Sequence, residues 1–595
     1  MPVPELSQRV FDVVIVGGGV AGAMVAIKLS RAGKSVLVLE AGTDGALSPN
    51  NYSDVLSTFH AMGSMRGTPN GPYPINHSAL SPNDAQKDPY FVQIGQKRFL
   101  SDYLRMFGGS TLHWQGTTLR MLPNDFRMQS TYGQAVDWPI SYDELEPFYR
   151  KTEHEIGVSA NVEDQTSFGV WFEKGYVYPM EKMPQSLSDQ YFLKKLTGAS
   201  VDLYGGSYPL KVISLATARN SIPNRNFDRG SGYTAVGAVG YPESGMRCQG
   251  NSSCSPMCPV QAKYNAMKTL VAARAAGDVE IRTKCIASRL QINAESGRID
   301  GIEYKRYSNP GDTAYVTEVA RGAVVVLAAN AIENCVLMLA SGVKDESDQL
   351  GRNLMDHPYI SFQGLSREPV FPFRGPDVTS GVESLRDGKF REEHAAFRAS
   401  IGNWGWVGEP ATTVAQLLST KQFGAAFRQQ LRDKLTRMVK LGVFLEQLPD
   451  PNNRVTIDRQ HMSALGNFLP ILNYNYADYS LKGGFEAIEK VWPVIVEKAA
   501  IDDKTDFSTV PPGFQAVAYK GKTFNVMGPG HIVGTHRMGH CKCDSVVNSS
   551  LRSWAHSNLY VVGAGSMVTI GTSNPTLTLA ALSLKAADHI LQDLH

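Results

Sequence analysis

The sequence predicts an α/β fold: a Rossmann-like dinucleotide-binding domain, discontinuous along the chain, with an α+β substrate-binding domain inserted into it. Three stretches predict this. Phe11 to Gly42, FDVVIVGGGVAGAMVAIKLSRAGKSVLVLEAG, holds an apolar strand, a glycine turn, a helix pattern and a second apolar strand. Arg321 to Glu333, RGAVVVLAANAIE, is a continuous apolar run that turns helical at Asn330 and suits the interior of a parallel sheet. Near the C-terminus, Asn558 to Met567 returns to strand-and-glycine patterning, and NPTLTLAALSLKAADHI follows as a helix.

The first stretch is a complete βαβ unit. Val13 to Val16 form the strand, and Gly17, Gly19 and Gly22 follow in G-x-G-x-x-G spacing. A helix pattern runs from Ala21 to Ala32, and Ser35 to Leu39 form a strand that ends on Glu40. In such a unit Gly17 makes the tight turn, Gly19 lets backbone N–H groups approach a pyrophosphate, and Gly22 lets helix and strand pack closely. The helix N-terminus adds partial positive charge and free N–H donors. Glu40 stands where a carboxylate takes both ribose hydroxyls. An acid there disfavours a 2′-phosphate, which sets NADP aside and leaves FAD and NAD open.

Residues 45–95 are rich in Pro, Asn, Ser and Gly and read as a long excursion over the nucleotide domain. In YLRMFGGSTLHWQ, from Tyr103 to Gln115, Gly108 and Gly109 allow close backbone approach just before His113 and Trp114. Ser141 with Glu144 three residues later forms a capping box that opens an amphipathic helix. Residues 160–225 are loop-rich. Cys248, Cys254 and Cys258 lie close together before a helix expected over Ala262 to Ala276, and strands are expected over Val279 to Ile286 and Gly301 to Tyr307. From about residue 360 to 525 the pattern changes to alternating strand-like pieces, a basic amphipathic helix near Thr420 to Leu441, and the pair Trp404 and Trp406. The expected division is 1–160, 226–358 and 526–595 for the nucleotide domain, and 161–225 and 359–525 for the substrate domain.

Composition narrows the class. Of 595 residues, 43% are hydrophobic and 19% charged, which suits a globular chain with a large core. The formal net charge is +2 without a basic block, so nothing points to nucleic acid. No apolar run reaches the roughly 18 residues of a membrane span. The N-terminus, MPVPELSQRVFD, has no charged-then-apolar signal pattern, and taken alone it reads as cytoplasmic. Seven cysteines are too few and too clustered for a disulfide scaffold.

Three thiols in C-x5-C-x3-C, interleaved with Gly250, Asn251 and Ser252, suit a cluster or a metal better than disulfides. Zinc would want a fourth ligand, and none lies nearby in sequence. Ordinary loop thiols are the plain alternative. Cys541 and Cys543 read as exposed loop thiols, with a strained short-range disulfide the less favoured alternative, and Cys285 and Cys335 as packing residues.

The N-terminal unit, GRNLMDHP (Gly351 to Pro358), HIVGTHRMG (His531 to Gly539) and GTSNPTLTLAA (Gly571 to Ala581) together resemble the glucose–methanol–choline (GMC) oxidoreductases, which are FAD enzymes. The resemblance spans nearly the whole chain and is strongest to bacterial sugar and sugar-acid dehydrogenase flavoproteins and to pyranose 2-oxidase. It implies FAD, contacted by Gly17, Gly19, Gly22, Glu40, Gly108, Gly109, Gly565, Asn574 and Thr576. It implies a catalytic pair, His531 and Asn574: a histidine suited to take a hydroxyl proton while hydride leaves carbon, and an amide to hold the substrate oxygen. His536 is the rival, with packing its expected role.

The resemblance further implies that His113 bonds covalently to the flavin, against a noncovalent His beside it. It also implies a [3Fe-4S] cluster on Cys248, Cys254 and Cys258, although Gln249 stands where the family often has a further cysteine. The implied reaction is oxidation of a sugar, polyol or sugar acid, with electrons leaving through the cluster to a haem- or quinone-linked partner. The implied location is the periplasm, reached by export with a small subunit. Two alternatives remain: an oxidase that uses O₂ and needs no cluster, and a noncatalytic assembly subunit, which the pairing of His531 with Asn574 argues against. Trp404 and Trp406 are candidates to stack on a sugar ring, or packing residues.

Overall fold

The computed structural model describes residues 9–42, 90–233, 247–250, 254, 258, 260–308, 312–406 and 409–594. The excursion expected over 45–95 lies almost wholly outside the described residues.

The strand Val10–Val16 forms because its β-branched run is buried on both faces, and it pairs in parallel with Val36–Leu39 and with the second half of Tyr315–Leu327. Val279–Arg282 extends this sheet beyond Val36–Leu39, and Leu559–Val561 pairs with the other side of Tyr315–Leu327. The C-terminal patterning thus enters the same sheet as the N-terminal strand. The helix Val20–Arg31 starts directly at the glycine turn, with Gly19 as its cap.

Tyr315–Leu327 joins a parallel and an antiparallel part of one seven-stranded sheet. Its first half, largely exposed, pairs antiparallel with Ile299–Tyr307, which pairs with Cys285–Ile292. From Arg321 onward it becomes an apolar parallel strand beside Val10. The single strand expected over Val279 to Ile286 is therefore two. Lys284, at φ +58°, breaks it and donates its N–H to the Gly42 carbonyl, which turns the chain out of the parallel sheet. After Leu327 the helix Ala331–Ala340 begins where expected, capped by the Asn330 side chain.

The second large sheet is antiparallel, in the order Asp502–Asp503, Tyr359–Leu365, Met438–Leu445, Phe397–Gly402, Val378–Val382, Val212–Ser214. Here the long basic helix expected over Thr420 to Leu441 fails. The helices are Glu409–Ser419 and Gly424–Leu435, separated by Lys421 and Gly424 at positive φ. Met438–Leu445, MVKLGVFL, is a fully buried strand in the middle of the sheet, where β-branched and apolar residues gain most from burial. Residues 160–225 also hold more structure than their weak periodicity suggests, including a helix Leu187–Leu196 opened by a Ser186–Asp189 capping box.

The Ser141–Glu144 box opens Tyr142–Ile156 as expected, and the helix after the cysteines is Ala266–Ala276. One continuous hydrophobic core runs through both sheets. No helix among the described residues is long and apolar enough to cross a membrane.

Candidate active site

A cavity of about 1710 Å³ lies between the two sheets. Drug-sized ligands need roughly 300–1,000 Å³, so it has room for a dinucleotide and a further small molecule. Its nucleotide end is built on backbone. Gly17 has φ +108°, and a Cβ there would lie 2.5 Å from the Ala328 carbonyl oxygen. A Cβ on Gly22 would lie 2.1 Å from the Gly17 oxygen, so helix and strand close only over a glycine. Gly19 is the opposite case: a Cβ there would meet nothing within 4 Å, because this position borders the cavity.

Glu40 is buried on the same wall and accepts the N–H groups of Gly18 at 2.8 Å and Gly42 at 2.6 Å. Burial pushes its carboxyl up to about 7. Gly108, at φ +97°, donates its N–H to Gly18, so the segment carrying Gly109 and His113 lies against the glycine turn. Thr576, the first residue of the helix Thr576–Asp593, also lines the cavity. Gly565 does not: it packs against His536, and Gly563 and Ala564 form the wall instead.

At the other end stand His531 and Asn574, brought together from separate motifs. The Asn574 Nδ2 lies 2.9 Å from His531 Nε2, and both side chains line the cavity. Arg398 donates to Asn574 Oδ1 at 2.6 Å and is ion-paired with Glu383 at 3.5 Å. On the far side of the imidazole, His531 Nδ1 meets His357 Nδ1 at 2.8 Å. Asp356 accepts the backbone N–H groups of both His357 and His531. Burial, with His357 and Arg398 nearby, holds the His531 imidazole well below the usual histidine range. Phe444 stacks on its ring.

His357, Arg398 and Phe444 were not singled out from sequence. His357 does lie within GRNLMDHP, but a motif gives no hint that its histidine reaches another motif's histidine. Nothing in the sequence marks Arg398. His536 packs as expected: it is fully buried, away from the cavity, beside Asn334 and Gly565.

Sequence models of the GMC oxidoreductase family match the chain over residues 11–359 and 449–583. The chain belongs to the GMC oxidoreductase family. It is 32% identical to the fructose dehydrogenase large subunit of Gluconobacter japonicus, over 98% of each chain. It is 24% identical to the gluconate 2-dehydrogenase flavoprotein of Pantoea cypripedii, over 97% of this chain and 93% of that one. Among solved structures, pyridoxine 4-oxidase from Mesorbium loti superposes with a TM-score of 0.60 at 18% identity, covering 97% of this chain and 99% of that one, a likeness of fold.

As a GMC oxidoreductase the protein is an FAD enzyme, and its cavity fits that cofactor. The open wall at Gly19, the buried acid at Glu40 and the helix starting at Val20 suit the dinucleotide end. His113 closes the turn Gly109–Leu112 on the cavity wall. Alternate residues of two strands, Tyr359, Ser361 and Gln363 with Lys440, Gly442 and Phe444, face the remaining space. Trp404 lies there too, with the Lys440 ammonium over its ring. Trp406 is buried and donates to the Val439 carbonyl, a packing role.

The cysteines are a mixed result. Among the described residues no three His, Cys, Asp or Glu side chains are placed to share a metal ion, so the expected set of Cys248, Cys254 and Cys258 does not stand as a formed site. Residues 251–253, 255–257 and 259, which join them, lie outside the described residues. Their surroundings are nonetheless cationic. Buried Arg219 donates to Cys254 Sγ at 3.6 Å, and buried Lys263 and Lys268 stand close by. Burial pushes the Cys248 and Cys254 thiols up, while Arg219 works the other way. Cys541 and Cys543, expected as free thiols, form a disulfide; the Asp544 carboxylate accepts the Cys541 N–H and turns this short loop back on itself.

Proposed function

We propose that this GMC oxidoreductase oxidises a carbinol of a sugar, polyol or sugar acid. The observation that carries the reading is the His531–Asn574 pair, 2.9 Å apart on the cavity wall beyond the dinucleotide cradle. FAD, when bound, supplies the hydride acceptor. His531 takes the hydroxyl proton, and the Asn574 amide holds the substrate oxygen beside it. Burial supports this role, because an imidazole with a lowered pKa stays neutral and able to accept a proton. The likeness to fructose dehydrogenase over 98% of both chains supports the substrate class.

The direct test is anaerobic bleaching of the bound flavin by a panel of sugars, polyols and sugar acids. His531→Ala should keep FAD yet lose on the order of 10²-fold or more in flavin reduction. Reduction at the native rate in that variant would remove His531 as the base.

Three finer readings rest on this one. His113 bonds to the flavin; acid-precipitated protein should then stay yellow, and His113→Ala should release all its FAD. A [3Fe-4S] cluster on Cys248, Cys254 and Cys258 supplies a one-electron outlet, which the three buried cations around these thiols favour. Anaerobically prepared protein should then contain about three irons per chain. Iron-free protein with full turnover on O₂ would replace this with the oxidase reading. Finally, the protein passes electrons to a haem- or quinone-linked partner and is exported to the periplasm with a small subunit; the large-subunit name of the fructose dehydrogenase relative supports only the presence of a further subunit. Cell fractionation and co-purification test both.

A further inference from the structure

Two groups near the active site have no choice of hydrogen-bonding role. The Gly571 carbonyl can only accept, and the Arg398 guanidinium can only donate. Between them runs an unbroken chain. Gly571 O lies 2.9 Å from His357 Nε2, His357 Nδ1 lies 2.8 Å from His531 Nδ1, His531 Nε2 lies 2.9 Å from Asn574 Nδ2, and Asn574 Oδ1 lies 2.6 Å from Arg398 Nη2.

Working inward from each end assigns every proton. His357 must carry its hydrogen on Nε2 to satisfy Gly571, so a neutral His357 presents a lone pair at Nδ1. His531 must then donate from Nδ1, which leaves its Nε2 bare. From the other end, Arg398 holds Asn574 Oδ1, so the Asn574 NH₂ faces His531 and also requires a lone pair at Nε2. Both ends give the same answer.

We infer that His357 is the positioning residue that holds His531 in the one tautomer able to accept a proton at Nε2, the nitrogen beside Asn574. The inference rests on the reading of His531 as the base. His357 is fully buried and lies off the cavity wall, so it acts only through His531. Its own neutrality is secured by its setting: burial and the nearby Arg398 hold its imidazole down at about 3. The other charged groups around the pair agree. Asp356 spends its carboxylate on Ser101 and on the two backbone N–H groups, and Glu383 faces Arg398. Without His357, the Asn574 amide alone opposes a hydrogen on Nε2, where the imidazole cannot act as a base, so the hold on the tautomer is weakened.

Two measurements on the FAD-loaded enzyme test this. The first needs no substrate: ¹⁵N spectra of histidine-labelled protein, with His357→Asn and His531→Asn used to identify the two residues. The native enzyme should show His531 protonated at Nδ1 and His357 at Nε2. A His531 carrying its hydrogen on Nε2 overturns the inference. The second is anaerobic flavin reduction with D-fructose and D-gluconate as probes. His357→Leu should slow the limiting rate on the order of 10²-fold, with half-saturation changed less than about threefold. His357→Asn, whose amide oxygen can stand near the place of Nδ1, should recover most of the loss, which a merely structural role does not predict. A native rate in His357→Leu, or equal rates in the Leu and Asn variants, also overturns it. If His531→Ala is itself as fast as native, it is the reading of the base that has failed.

Discussion

The two ends of the cavity are built by different means. The heart of the nucleotide end is local: one strand, one glycine turn, one helix and one acid, contiguous from Val10 to Glu40, with specificity resting on backbone and on absent side chains. The Gly108–His113 segment and Thr576 only complete its wall. The catalytic end is assembled from distant segments, with His357, Arg398, His531 and Asn574 drawn from four separate stretches and locked by side-chain hydrogen bonds. Substitutions at the first end should therefore decide whether FAD is held, and substitutions at the second should decide how fast it is reduced.

The largest expected effect is at the nucleotide end. Gly22→Ala places a Cβ 2.1 Å from the Gly17 oxygen, so the turn cannot close, and the purified protein should contain almost no FAD. Full FAD content in that variant would break the contrast. At the catalytic end Arg398→Lys keeps the charge facing Glu383 but loses the planar fork that reaches Asn574 Oδ1. One charge-assisted hydrogen bond is worth about 1.5 kcal/mol or more, so flavin reduction should slow roughly tenfold with FAD content unchanged.

The smallest effect is in pH. His531 is held well below the usual histidine range, so it stays unprotonated as pH falls, and the limiting rate of flavin reduction should be flat from about pH 8 to pH 5.5. Glu40 behaves in the opposite sense. Its carboxyl is raised to about 7, so its charged form, the one we propose to accept ribose hydroxyls, is lost as pH falls below that value. In His113→Ala, where FAD binding is reversible, affinity should weaken by at most about tenfold per pH unit below 7. A pH-flat affinity together with a reduction rate that falls below pH 6.5 would reverse the assignment of the two groups.

This contrast also explains what the sequence disclosed. The βαβ unit was legible because its ligands are adjacent and its glycines are demanded by backbone geometry. His531 and Asn574 were legible only through motif resemblance. Their supports were not, since a contact between His357 and His531 depends on two segments distant in sequence pairing with each other, Met355 with Val533 and Tyr359 with Met527. Met438–Leu445 shows the same limit at the level of elements: MVKLGVFL follows a helix without a glycine or proline stop, and only its place between Tyr359–Leu365 and Phe397–Gly402 makes it a strand. The Cys541–Cys543 disulfide escaped because its closure depends on a loop held by Asp544.

Lys263 ties the wall beside His113 to the segment that carries Cys254. Its buried ammonium donates to the Trp114 carbonyl, one residue from His113, and to the Cys254 carbonyl at 2.6 Å. A buried cation deprived of either carbonyl is costly, so the segment that holds the flavin-side histidine and the segment that holds the cysteines order together. A substitution that displaces the Cys254 carbonyl should therefore be felt at Trp114, on the wall of the cavity.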